Sequence, residues 1–334
     1  TLVHATSTSP TGDFSLRVPS PYAAGDQVIF FAVGTDGQGR VLYAAANPGL
    51  PPNSMNVIPT ASPLPAATLW SWAVPANIAN TTRIITEAEG SGALRLFHNQ
   101  RRTYEFTRQF YRQSGRTVVL WFAPSTTWSC GACAAPIPTN ASGVSFDAQV
   151  WISGGANQPQ HSDAVALHEF GHWTMASYGY VPVEGGTHVL GVSTFPGQAW
   201  SEGFATWFSS AARSSSIYYD KQAGGFFWFD IAQRTYSEGT SWQRPIPANG
   251  LLQKLDENEV SSMLWGVSVA SQDGAARILW ALNSRQMTTP AFTRGYSQTL
   301  WEVLPNGQHT NIRPTSTPTP TLADELDALA CEGL

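Results

Sequence analysis

The sequence predicts an α+β protein, strand-rich in its first half and mostly helical in its second. Three observations lead there. Short runs of alternating or continuous apolar residues, bounded by Gly, Pro, Asp and Ser turns, dominate up to about residue 154. From about Ser162 onward, longer stretches carry apolar residues at helical spacing. The 334 residues are 42% hydrophobic and 12% aromatic, which suffices for a packed core and roughly two domains.

Residues 1–47 read as a β-rich N-terminal module. "DFSLRVP", "QVIFFAVG" and "RVLYAAA" are strand-like, and "SPTGD" and "TDGQGR" supply turns between them. The pattern resembles the later strands of small β-sandwich modules and is too short for a whole one. Residues 48–65, with Pro48, Pro51, Pro52, Pro59, Pro63 and Pro65, read as a linker. Residues 66–334 read as the main domain. "ALRLFHNQRRTYEFTRQFYRQSG" has Leu94, Leu96, Phe97, Tyr104, Phe106 and Phe110 at mostly helical spacing, with Gly115 closing it. "RTVVLWFAP" is a buried strand. "GVSFDAQVWISGG" is a second one, with "AQVWISGG" expected at a sheet edge. Ser162 or Asp163 can cap the helix that follows, by accepting bonds from its first unpaired N–H groups. "AWSEGFATWFSSAAR" is another helix, and "YYDKQAGGFFWFDIAQRTY" is irregular structure and strand. "DENEVSSMLWGVSVAS" opens with Asp256 and Glu259 spaced close to a capping box. "DGAARILWALNSRQ", "PAFTRGYSQTLWEVLP" and "LADELDALACEGL" complete a helical end.

Composition narrows the function. Charged residues are 12% of the chain, the net charge is −5, and lysine occurs only at Lys221 and Lys254. A basic groove for nucleic acid is not expected. No apolar run reaches the roughly 20 residues of a membrane span, and the first residues show no signal-peptide pattern. Low charge with few lysines and abundant Ser, Thr, Gly and Pro leans towards secretion, and a monomer is expected. Cys130 and Cys133 read as a short-loop disulfide stapling a turn, with Cys331 left over.

The chemistry concentrates in "VALHEFGHWTMASYG". His168 and His172 are four apart, so a helix returns both imidazoles to one face, one turn apart. Glu169 projects beside that face. This is the H-E-x-x-H arrangement, in which two neutral imidazoles hold zinc and the carboxylate serves as general base. A helix with two surface histidines is the plainer reading. Val165, Leu167, Phe170 and Trp173 oppose it, because they make the helix apolar nearly all round. Gly171 opposes it too: mid-helix glycine costs about 1 kcal/mol relative to Ala, which points to close approach of another backbone or a ligand.

A catalytic zinc takes a third protein ligand and keeps a position open for water. Met175 and Tyr178 occupy the places where a metzincin would have Gly and His. "AWSEGFATWF" instead offers Glu202 on a second buried helix. His168-Glu169-x-x-His172 followed by Trp200-Ser201-Glu202-Gly203-Phe204-Ala205 resembles the gluzincin peptidases, the group of thermolysin-like and aminopeptidase-N-like enzymes. The resemblance covers about residues 162–208. It implies a zincin-like catalytic domain, with a small mixed sheet, an active-site helix and a mostly helical C-terminal subdomain. It implies one catalytic Zn²⁺ on His168, His172 and Glu202, with Glu169 as base. The stretch between His172 and Glu202 is longer than in the best-known branches, which implies a separate secreted subfamily.

Thr206 stands where thermolysin-like enzymes have an Asp that orients a zinc histidine. Asp163, Glu257 and Glu259 are the carboxylates that could replace it. His188 is a candidate oxyanion donor or substrate contact, or a structural histidine. Tyr178, Tyr180, Tyr218, Tyr219 and Tyr236 are candidate phenolic donors. Aminopeptidase relatives carry a Glu before the zinc helix, and "DAQVWISGGANQPQ" has none. The expectation is therefore an endopeptidase acting on extracellular protein or peptide substrates, which would pair with "AQVWISGG" by β-strand addition. Two other readings stand beside it. One is a glycoprotein-selective metallopeptidase, with Trp151, Trp173, Trp200 and Trp207 near the site, although core packing explains those side chains more cheaply. The other is a non-catalytic zinc-containing adhesion or binding module.

Overall fold

The computed structural model describes residues 27–31, 39–43, 69–73, 84, 86, 91–122, 124–128, 130–141, 144–155, 159–182, 188, 190–191, 194, 196–222, 225–237, 256–284, 287 and 322–331. The first half is strand-rich: β1 (Gln27–Phe31), β2 (Gly39–Tyr43), β3 (Leu69–Ala73), helix α1 (Gly92–Thr107), β4 (Val118–Phe122), β5 (Ala132–Ala135), β6 (Thr139–Ala141), β7 (Val144–Phe146) and β8 (Ala148–Ile152). Helices α2 (Asp163–Tyr178) and α3 (Pro196–Arg213) follow. A meander of β9 (Ile217–Gln222), β10 (Gly225–Asp230) and β11 (Thr235–Tyr236) leads to α4 (Glu257–Ala270), α5 (Gly274–Leu282) and α6 (Leu322–Cys331). The α+β expectation holds. The "PAFTRGYSQTLWEVLP" helix, the "DFSLRVP" strand and the 48–65 linker lie outside the described residues.

The main sheet has the order β2-β4-β8-β5. β2, β4 and β8 are parallel and β5 runs antiparallel to β8. β2 lies within the stretch read as an N-terminal module, yet it hydrogen-bonds to β4. β1 pairs antiparallel with β3, beyond the proline-rich stretch. Strands from before residue 48 are thus completed by strands from after residue 65.

The inner strands are buried on both faces, as parallel strands usually are. Val118, Leu120 and Phe122 of β4, with Ala148, Val150 and Ile152 of β8, pack into the large core under α1, α2 and α3. Val119, Trp121 and Trp151 point the other way and pack on Trp128 and Phe146. Gln149, buried among them, accepts from Trp121 Nε1 at 2.9 Å and donates to the Ile137 carbonyl at 3.1 Å.

Two strand expectations change. "GVSFDAQVWISGG" is not one strand. Asp147 turns out of it and accepts from the Thr117 hydroxyl at 2.6 Å, so β7 pairs with β6 while β8 enters the main sheet. Nor is "AQVWISGG" at the edge, because β8 is flanked by β4 and β5 and fully buried. The edge strands of this sheet among the described residues are β2 and, beside β8, β5. The position of β5 follows from the expected disulfide: Cys130–Cys133 closes the turn that feeds the chain back along β8. Cys331 is exposed at the end of α6.

Candidate metal centre

Helix α2 carries the H-E-x-x-H residues, and its start is fixed from two sides. Ser162 is the N-cap: its Oγ accepts from Val165 N at 3.1 Å and donates to the Tyr219 carbonyl at 2.6 Å. Asp163 in the first turn accepts from Arg95 at 2.8 and 3.0 Å and from Asn99 at 2.9 Å, which ties α2 to α1. Asp163 therefore does not serve a histidine.

α2 is buried on nearly every side, as its sequence predicts. Its closest neighbour is α3. A Cβ built on Gly171 would lie 2.6 Å from Ala205 Cα and 3.0 Å from its carbonyl oxygen. The glycine is there because a second backbone is. Gly171 lies between His168 and His172, and Ala205 between Glu202 and Thr206. The point of closest approach is thus also the point where the candidate ligands face one another.

His168, His172 and Glu202 converge. Glu202 Oε2 is 3.0 Å from His168 Nε2 and 3.2 Å from His172 Nε2, and the two nitrogens are 3.2 Å apart. Tetrahedral zinc with bonds of about 2.0–2.1 Å holds its ligand atoms roughly 3.3 Å apart, so the triangle fits such an ion. The outward nitrogens are held as well. His168 Nδ1 is 3.1 Å from Thr206 Oγ1, and His172 Nδ1 is 3.1 Å from Ser201 Oγ. A ring N–H donating to either hydroxyl leaves Nε2 with its lone pair directed at the centre. Thr206 therefore does the orienting for which the sequence reading sought a carboxylate. Among those carboxylates, Glu259 pairs with Arg234 at 2.9 Å and Glu257 faces His188.

The metal-free electrostatics match this layout. Burial works against the Glu202 carboxylate, but His172 and His188 outweigh it and hold its pKa well below the ordinary value. Burial likewise opposes a charged His172, and Glu202 nevertheless raises it. Glu169 is only 6% exposed, and its carboxyl is raised by burial against the pull of His168 and His172.

Of the candidate tyrosines, Tyr218 packs against His168. Its ring meets that of His168 edge-on, 6.1 Å between centroids, and stacks on Phe229. Burial, with Asp220 and Glu169 nearby, pushes its phenol well above the ordinary value, so it remains a donor. Tyr178 stacks on Tyr111, Tyr219 lies under Arg213, and the Tyr236 hydroxyl accepts from Asn258. His188 comes to Glu202, with Nε2 3.5 Å from Oε2. Its Nδ1 is 2.7 Å from Glu257 Oε2, a close ion pair in which the ring N–H is not aligned for a hydrogen bond. Those two contacts and burial act together, burial opposing, to raise His188 to about 10. Sequence reasoning missed the Glu257–His188 contact. The only signal for it was a carboxylate in the first turn of a capped helix, which also has a purely local explanation. Trp173, Trp200 and Trp207 are at most 2% exposed and Trp151 is 8% exposed, so all four are core residues.

Comparison with protein-family profiles, curated proteins and solved structures finds no match to this chain.

Proposed function

We propose that the protein is a secreted zinc-dependent endopeptidase of gluzincin type with a zincin-like catalytic domain. One observation carries this reading. His168 Nε2, His172 Nε2 and Glu202 Oε2 form a triangle of the size a tetrahedral zinc requires, with a buried carboxylate, Glu169, next to it. Zinc bound there supplies Lewis-acid polarisation of a scissile carbonyl and acidifies a water. Glu169 takes the proton of the attacking water and passes it to the leaving amide nitrogen. Tyr218 donates to the oxygen on which negative charge develops. A purely structural zinc would give Glu169 no role, and structural sites are usually closed by Cys and His.

The substrate backbone pairs with β5. Ser153 N donates to the Gly131 carbonyl at 3.0 Å, and the antiparallel alternation then directs the N–H and C=O groups of Ala132 and Ala134 to the outer edge. β5 also packs against α2, the helix that carries His168 and His172. The Cys130–Cys133 disulfide supports an oxidising, extracellular setting. No helix among the described residues is long and apolar enough to cross a membrane.

The test is digestion of an unfolded protein mixture by wild type and by Glu169→Gln, read by mass spectrometry, with zinc content measured in both. New internal termini from wild type alone, at equal zinc content, are expected. Trimming only from chain ends would remove the endopeptidase assignment. Absence of cleavage by zinc-loaded wild type would remove the peptidase assignment.

A further inference from the structure

The described residues place a second group against Glu202: His188 and Glu257. The His188 ring lies between two carboxylates, Nε2 toward Glu202 at 3.5 Å and Nδ1 toward Glu257 at 2.7 Å. Glu257 is 3% exposed, and its Oε1 has no hydrogen-bond partner among the described residues. Taking such a carboxylate out of water is costly without a compensating partner, and the one beside it is His188.

The backbone is arranged to bring them there. Glu257 is the first residue of α4, behind the N-cap Asp256, whose Oδ1 accepts from Asn258 N at 3.0 Å. Gly203 follows Glu202 directly. A Cβ on Gly203 would lie 2.4 Å from Val260 Cβ and 2.8 Å from the Glu257 carbonyl oxygen. The missing side chain lets the first turn of α4 settle onto α3 beside the ligand.

We infer that Glu257 and His188 form a strut that positions the Glu202 carboxylate and thereby sets the affinity for the metal. This rests on the zinc reading above. Both are positioning residues. In this strut Glu257 acts through His188, and His188 acts on the ligand rather than on substrate. Glu202 reaches the triangle on a flexible side chain, with two oxygens that could rotate. An imidazole beside Oε2, itself held by a buried carboxylate, restricts that rotation. Outer partners of metal ligands are typically worth about 10–100-fold in metal affinity.

The experiment is zinc competition against a chromophoric chelator, with stoichiometry, for wild type, Glu257→Gln, Glu257→Asp, His188→Ala and the double variant His188→Ala/Glu257→Gln. Denaturation of each metal-free form separates folding from binding. One equivalent in wild type is expected, with affinity about 10–100-fold weaker in Glu257→Gln and His188→Ala. Glu257→Asp should restore part of the loss. The double variant should bind no more weakly than His188→Ala, because in a strut the contribution of Glu257 passes through His188. Additive losses, or Glu257→Gln within twofold of wild type, would overturn the strut. So would a second zinc equivalent in wild type that disappears in Glu257→Gln, since that cluster would then be a metal site in its own right. Wild type binding no zinc at all would instead overturn the zinc reading itself.

Discussion

Replacing Gly171 with alanine tests the central packing claim, because two effects oppose each other there. In a helix interior, Gly→Ala gains about 1 kcal/mol of propensity. Against that, the new Cβ would sit 2.6 Å from Ala205 Cα, where ordinary contact begins near 3.4 Å, so α2 and α3 must separate by about 0.8 Å at that point. The obstacle is backbone, which cannot rotate away, so the overpacking cost lies toward the upper part of its usual range of about 1–3 kcal/mol. The net expectation is a loss of about 1–2 kcal/mol in urea denaturation of the metal-free protein, seen as a lower midpoint at unchanged slope. The same 0.8 Å acts on the ligands, because the histidines sit on α2 and Glu202 on α3. A 3.0 Å His168–Glu202 separation would widen to about 3.8 Å, past the roughly 3.3 Å of a tetrahedral site, and zinc affinity should fall at least tenfold. Gly266, in α4, is the control. It is exposed and nothing lies within 4 Å of where its Cβ would be, so Gly266→Ala should stabilise by up to about 1 kcal/mol. If Gly171→Ala stabilises the protein as Gly266→Ala does, with zinc affinity unchanged, the close approach of the two helices is refuted.

Other substitutions probe the remaining parts. Thr206→Val and Ser201→Ala each remove the hydroxyl that meets an outward histidine nitrogen, and each should weaken zinc binding about tenfold in chelator competition without changing stoichiometry. Ala134→Pro removes an outward N–H of β5 while leaving the bonds to β8 in place. The loss of about 1 kcal/mol of substrate pairing should raise KM about fivefold at unchanged zinc content; an unchanged KM would take β5 out of substrate binding. Glu325, in α6, is fully buried, neither oxygen has a hydrogen-bond partner among the described residues, and burial pushes its carboxyl well above the usual range. The folded state therefore binds more protons there than the unfolded chain. Its contribution to stability falls as pH rises above the unfolded carboxyl value of about 4.3. Wild type should lose more stability than Glu325→Gln between pH 5 and pH 8 in urea denaturation, and equal losses would remove Glu325 as the cause.

The site was legible where its chemistry is local in sequence. His168, Glu169 and His172 are fixed relative to one another by one helix, so spacing alone gives their geometry. Glu202 was legible because "AWSEGFATWF" declares a second buried helix, and a lone carboxylate on such a helix needs a partner. Even Gly171 announced the second backbone, through a propensity cost that nothing else in its helix explains. What could not be read is what crosses between elements. β8 reads as an edge strand because apolar runs carry no information about which strand lies outside them. The strand that covers it is a short Ala-Cys-Ala-Ala segment whose own sequence is too plain to show as a strand. β2 and β1 looked like parts of a separate module because proline-rich residues follow them, yet their partners β4 and β3 lie beyond that stretch.

Thr206 shows the limit from the other direction. Measured against an expectation of aspartate, its place looked like a missing orienting group, and the search moved to carboxylates elsewhere. A hydroxyl accepts the imidazole N–H equally well in geometry, at 3.1 Å, and differs in charge. That difference bears on the whole centre. Glu169, Glu202 and Glu257 are already three largely buried carboxylates around one cluster, and a fourth beside His168 would add to a repulsion that His188, and the proposed zinc, would have to balance. Neutral hydroxyls at Thr206 and Ser201 orient the histidines without that addition. On this argument Thr206 is not a lost aspartate. It is the residue compatible with a site that already holds a further carboxylate, Glu257, near Glu202.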